Sequence, residues 1–289
     1  MEIKKIQDSY IYLFFSFVTI ILNLFFIDYL NEKYIILILI FFVIFFGLPH
    51  GALDTLLAKQ NNLYNNFYSF ILFNLLYLST ILLFFFLWFT VPVITLSIFL
   101  LISIIHFSED WKQDLNLFQR LALATSVIGL TIFFQTEDIK SIFLLLTNSQ
   151  SVDIIILFFK YASYLLMFFI LFILFSNLKK KFVLLNIITI FFTSWTLNPL
   201  LYFLCYFCFF HSIKNYRDST NLLNLETKKV KNKILILNLF LTLLLSLVIF
   251  NFYLNASTET KLIQITFIGL ASLTVPHMIL KGIINYKNK

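Results

Sequence analysis

From Ile35 to Phe46 the chain carries no polar side chain at any position, and it contains about ten apolar stretches of this kind. A helix apolar on every face cannot lie on a soluble core, and strands of a membrane barrel would alternate in polarity. Only a helix that crosses a bilayer satisfies both the side chains and its own backbone. The runs fall at 9-30, 34-53, 67-89, 91-107, 117-135, 152-176, 182-197, 199-213, 234-254 and 262-284. Each approaches the roughly 20 residues that span the ~30 Å hydrocarbon layer, so ten would take roughly 200 residues. Only short connections remain. The expectation is an all-α, polytopic membrane helical bundle of about ten transmembrane helices (range eight to ten), forming a single integral membrane domain over 1-289. The open point is Asn198-Pro199, which either separates two spans or kinks one.

Composition closes off other classes. The chain is 61% hydrophobic and 12% charged, where soluble domains hold about 45–50% and about 25%. Five Gly, four Pro and two Cys exclude collagen-like repeats and disulfide scaffolds. The net charge of +7 does not indicate nucleic acid, because the basic residues punctuate apolar runs instead of clustering on a solvated face. With ten spans and the N-terminus inside, 17 of the 21 Lys and Arg fall on one side and 4 on the other. That asymmetry puts both termini in the cytoplasm and makes the protein a multi-pass component of the cell inner (plasma) membrane. Lys4 and Lys5 precede an apolar run longer than the about 7–15 residues of a signal-peptide core, so the first run reads as a retained helix.

The four histidines, His50, His106, His211 and His277, all lie in or at the ends of apolar spans. Three end the second, fourth and eighth spans, and the fourth lies in the second half of the tenth. Even-numbered spans all run inward, so the four imidazoles share a depth near the cytoplasmic face and can converge. Intramembrane imidazoles are costly unless partnered, which makes them functional candidates. A single one would read as a packing residue.

Three histidines carry a polar residue four positions on, at the next turn of one helix face: Asp54 after His50, Asp110 after His106, Asn215 after His211. Ligand histidines commonly give their second nitrogen to such a group, so these three, with Glu109, are expected to support the site. The competing reading is that Asp54, Glu109 and Asp110 are solvated at the membrane boundary. Pro49 and Pro276 directly precede histidines, and Gly47 and Gly51 flank the first pair. Proline in a span frees a carbonyl where the backbone lines a cavity, and glycine permits close helix approach.

Four neutral nitrogen donors suit Fe(II), Zn(II) or Cu. Iron matches oxygen chemistry on an apolar substrate, whereas zinc hydrolysis would need a carboxylate base, for which Glu109 is the nearby candidate. Haem would use only two of the imidazoles, and a di-iron oxygenase needs about twice as many. Cys205 and Cys208 form an isolated pair one turn apart and read as packing residues.

The segments GLPHGALD (47 to 54), IFLLISIIHFSEDW (98 to 111), YFCFFHS (206 to 212) and FIGLASLTVPHMIL (267 to 280) resemble the Brp/Blh family of bacterial and archaeal carotene dioxygenases, from the second helix to the last. The resemblance implies a membrane catalytic domain with an Fe(II) centre. It would cleave the central 15,15' double bond of β-carotene, or a related carotenoid, with O2, giving two all-trans-retinal. A retinal-binding rhodopsin is then a candidate acceptor for the product. One departure stands out: relatives typically read H-S-x-R-H where this chain reads His211-Ser212-Ile213-Lys214-Asn215. We expect Asn215 to offer a carbonyl acceptor beside His211 and His277 to complete the ligand set. Asn215→Ala should therefore keep iron content near native and His277→Ala abolish it. The alternative is a membrane transporter or haem-binding protein using its intramembrane histidines, against which stands the lack of a detectable repeat.

Overall fold

The computed structural model describes residues 2–26, 32–252 and 256–287. Every described element is helical. The chain forms α1 (Glu2–Phe26), α2 (Glu32–Phe42), α3 (Asp54–Gln60), α4 (Phe67–Thr90), α5 (Pro92–Ser108), α6 (Leu117–Phe134) and α7 (Thr136–Thr147). It continues with α8 (Val152–Ser176), α9 (Lys181–Thr196), α10 (Pro199–Phe203), α11 (Ile213–Leu222), α12 (Leu225–Phe252) and α13 (Thr258–Lys287).

Eight helical stretches among the described residues are long and apolar enough to cross a membrane: Gln7–Phe25, Lys33–Gln60, Phe67–Thr90, Pro92–Trp111, Leu117–Phe134, Val152–Ser176, Thr227–Leu247 and Thr258–Lys287. The expected spans at 182-197 and 199-213 match α9 and the unit starting at α10, both shorter than these eight. The ends expected at 27–30 and 253–254 lie outside the described residues. At Asn198-Pro199 the chain breaks instead of kinking. Leu197 and Asn198 are extended, and Asn198 Oδ1 accepts the Leu201 N–H at 2.9 Å, capping a new helix with Pro199 in its first turn. An amphipathic helix the span pattern did not anticipate is α7. Glu137 and Asp138 occupy its first turn, Asn148 closes it in the left-handed conformation at φ 50°, and Phe143 and Leu146 face the core.

Two runs depart from α geometry, and both lead to histidines. α2 passes through a π-helical turn, Val43–Gly47, and a 3-10 turn, Leu48–Leu53, before α3. Between α10 and α11 lies a nine-residue π-helical stretch, Leu204–Ser212, in which every side chain is buried. Such wide turns recur at functional sites. This stretch is the axis of the bundle: α1 lies along it, with Phe15 stacked on Phe209 at 4.2 Å and Tyr12 against Phe210 at 5.2 Å.

Lipid tails are as apolar as leucine, so packing and interhelical hydrogen bonds hold such a bundle together, the latter at about 0.6 kcal/mol each. α6 and α8 pack closely because Gly129 has no side chain: a Cβ there would meet Ser163 Oγ at 2.6 Å. Trp88 Nε1 donates to the Leu146 carbonyl at 2.8 Å, tying α4 to α7. Arg217 on α11 forks onto the buried carboxylate of Asp8 on α1. By contrast, Leu75, Leu83 and Phe86 of α4 and Ile236, Phe240 and Leu247 of α12 face outward, as lipid-facing surfaces do.

Candidate metal centre

Three of the four histidines meet at the bundle axis. His106 is in the last turn of α5, His211 is in the π-helical stretch, and His277 follows Pro276 in α13; all three are at most 2% exposed. His211 Nε2 and His106 Nε2 are 2.9 Å apart, their ring centroids are 4.4 Å apart, and the His106 and His277 centroids are 5.2 Å apart. His50 sits in the 3-10 turn Leu48–Leu53; its side chain lies outside the described residues.

The opposite nitrogens are held by carboxylates. His211 Nδ1 is 2.9 Å from Asp110 Oδ2, and His277 Nδ1 is 2.8 Å from both oxygens of Asp54. Both carboxylates are buried, and each accepts a tyrosine hydroxyl: Tyr206 donates to Asp110 at 2.9 Å and Tyr77 to Asp54 at 2.8 Å. An ionised carboxylate only accepts, so Nδ1 of each ring carries a proton and Nε2 keeps its lone pair. Two Tyr–Asp–His triads thus present imidazoles in one tautomer.

The carboxylates serve other helices than the four-residue spacing implied. Asp110 does not support His106, its neighbour in sequence, but His211; Asp54 supports His277. The chain tightens to a 3-10 turn at Glu109–Trp111 and again at Leu48–Leu53. With about three residues per turn there, positions four apart no longer share a face. Glu109 is engaged elsewhere, with Arg120 at 2.9 Å and Lys112 at 3.1 Å.

Asn215 also differs from expectation. Its Nδ2 faces Asp110 Oδ1 at 3.2 Å and the His211 carbonyl at 3.0 Å, and its Oδ1 accepts from Lys281 Nζ at 2.6 Å. The acceptor for His211 is Asp110, not the Asn215 carbonyl. Tyr77, Tyr206 and Lys281 are site residues that the motifs missed. Tyrosines inside spans need partners for their hydroxyls, which is the signal that could have found the first two. Lys281 stands four residues after His277, the same spacing that singled out Asn215.

Of the two flanking glycines, Gly47 makes room for the site. A Cβ on it would lie 2.9 Å from Phe207 Cε1, whereas one on Gly51 would meet nothing within 4 Å. Phe207 stacks on Phe203 at 4.9 Å and lies nearly parallel to His211 at 5.8 Å. It borders a cavity of about 310 Å³ lined by Gly47, Asp54, Phe73, Tyr77 and His277, with Leu241 and Leu245 of α12 on its outer side. A second, apolar cavity of about 120 Å³ lies by Phe203, Phe107, Tyr206 and Phe267. Cys205 and Cys208 are buried free thiols.

The donor set can be tested for fit to a metal. Nitrogens bound at about 2.0–2.1 Å and at right angles are about 2.9–3.0 Å apart, the separation found between His106 and His211. Hydrogen-bonding of ligand imidazoles to carboxylates is the usual arrangement behind such a centre. Among the described residues, however, no group of three or more His, Cys, Asp or Glu side chains is drawn together closely enough to form a finished site. The pair is formed, and His277 stands beside it.

Comparison with known proteins followed the same segments. A family model described as beta-carotene 15,15'-dioxygenase matches residues 41–285. A protein named beta-carotene 15,15'-dioxygenase from uncultured marine bacterium 66A03 is 31% identical over 251 residues, covering 82% of this chain and 90% of that relative. No solved structure matches. The matched region holds all four histidines and both buried carboxylates, and the chain belongs to the β-carotene 15,15'-dioxygenase family.

Proposed function

We propose that this protein is an iron-dependent carotene dioxygenase that cleaves the central 15,15' double bond of β-carotene, or a related carotenoid, with O2 to give two all-trans-retinal. Carotene cleavage follows from the family. The observation that carries the finer reading is the pair of carboxylate-held imidazoles 2.9 Å apart, adjoined by His277, which lines the apolar cavity.

Fe(II) would be held by Nε2 of His106 and His211, with His277 and His50 completing the set. The chemistry such an ion supplies when bound is activation of O2 toward an alkene. In the overall reaction one carbon–carbon double bond breaks and each carbon takes one oxygen atom, so no proton is lost or gained. That balance explains why the buried carboxylates are spent on holding histidines, and why Glu109 can be committed to Arg120. Asp110 and Asp54 fix ring tautomer and orientation, each braced by a tyrosine. The wall formed by Phe73, Phe207, Leu241 and Leu245 excludes water and lies flat against a polyene. The larger cavity reaches toward α4 and α12, whose outer faces meet lipid, a direct route for a substrate dissolved in the bilayer.

The same reading gives a multi-pass protein of the cell inner (plasma) membrane with cytoplasmic termini, and a product released into lipid, where a retinal-binding rhodopsin could take it up. The test is expression in carotene-producing cells. Loss of colour with appearance of retinal is expected, and undiminished pigment beside well-expressed protein overturns the proposal. A Soret band in the purified protein would instead support a haem carrier.

A further inference from the structure

We infer that Lys281 is a positioning residue of the metal centre, acting through Asn215 on the Asp110–His211 pair. The inference rests on the iron reading above.

Asn215 and Lys281 each stand four residues after a histidine, His211 and His277, on different helices. These two followers meet: Lys281 Nζ lies 2.6 Å from Asn215 Oδ1. A lysine near the end of a membrane span ordinarily extends its ammonium outward to water. This one is half-buried and turned inward, linking α13 to α11.

The chemistry of the contact fixes the amide. An ammonium has donors only, so the group facing Lys281 has to be the amide oxygen, and the amide nitrogen is aimed the other way. It then donates to Asp110 Oδ1 at 3.2 Å and to the His211 carbonyl at 3.0 Å. Asp110 Oδ2 is meanwhile shared by His211 Nδ1 and Tyr206. Lys214 Nζ donates to the Asp110 main-chain carbonyl. The carboxylate is therefore gripped on both oxygens, and its orientation toward His211 depends on an amide that could rotate if Lys281 were gone. With Oδ1 turned to Asp110, two acceptors would face each other and the grip would open.

The experiment uses the full chain in detergent and measures ferrous iron affinity by chelator competition, with helix content checked by circular dichroism. Lys281→Met is expected to weaken iron binding about 10–100-fold, the usual effect of losing a group that orients a ligand. Lys281→Arg should stay close to native, because it still donates to the amide oxygen. In an Asn215→Ala background, Lys281→Met should add little, because residues acting through one another are not additive. Native affinity in Lys281→Met overturns the inference, and so does full additivity with Asn215→Ala. If the native chain binds no iron, or His211→Ala binds it equally well, the iron reading itself falls and this inference falls with it.

Discussion

His211 turns Nε2 toward Nε2 of His106 at 2.9 Å, with the two rings nearly perpendicular at 81°. If both nitrogens hold one ion, they act as a unit. His106→Ala and His211→Ala should each empty the centre as completely as the double variant, a non-additivity typical of groups that work together. Metal analysis of the purified proteins checks this. Native iron content in either single variant would detach that imidazole from the centre.

Asp110→Asn should lower iron affinity about 10–100-fold while the protein still folds, since Asn keeps the shape but cannot accept from Tyr206, His211 and Asn215 together. Tyr206→Phe removes a single hydrogen bond to a charged acceptor, worth about 1.5–3 kcal/mol, and should cost less. Chelator competition on the two variants gives the order; the reverse order would mean that Tyr206, not Asp110, sets the ring of His211.

Gly47→Ala and Gly51→Ala separate packing from mere proximity in sequence. The first places a methyl 2.9 Å from the Phe207 ring, the second meets nothing within 4 Å. Overpacking of this kind costs about 1–3 kcal/mol, so Gly47→Ala should lower thermal stability in detergent and reduce turnover by displacing Phe207. Gly51→Ala should be close to native in both assays.

Arg217→Met leaves the Asp8 carboxylate buried beside α11 without its guanidinium. Breaking a fully buried pair costs about 3–5 kcal/mol; Arg217 is partly exposed, so about 2–3 kcal/mol is expected. Asp8→Asn should be milder, because it leaves no buried anion. Denaturation midpoints compare them, and equal losses would show that the pair contributes through packing alone.

The sequence made the spans legible because apolar runs are a composition signal that survives without tertiary knowledge. Asn198-Pro199 could be read either way, since proline both begins helices and kinks them, and the Asn198 cap decides it. α7 was hidden because its helical face is short and mixed. At the site, the histidines were visible because they are rare, and His106, His211 and His277 do gather. Their partners were misassigned where the helix changes pitch: an α-helical spacing rule assigns Asp110 to His106, and the 3-10 turn gives it to His211. Tyr77 and Tyr206 were lost among 14 tyrosines. Lys281 was counted as a topology signal, although its spacing from His277 equals that of Asn215 from His211.

The wide-turned stretch Leu204–Ser212 has a genetic consequence. A π-helical turn is an α-helix accommodating one surplus residue, and deletion of a single codon among 204–210 would let the segment rewind as ordinary α-helix. Everything after it, Lys214, Asn215 and Arg217 included, would swing about 100° around the axis. Hydropathy, span length and charge would hardly change, so such a deletant would still insert and be scored as the same kind of membrane protein, yet it would have lost the grip on Asp110 and the tie to Asp8 in one step. In this protein a frame-preserving loss of one apolar residue is the mutation to look for where colour persists and the histidines are intact.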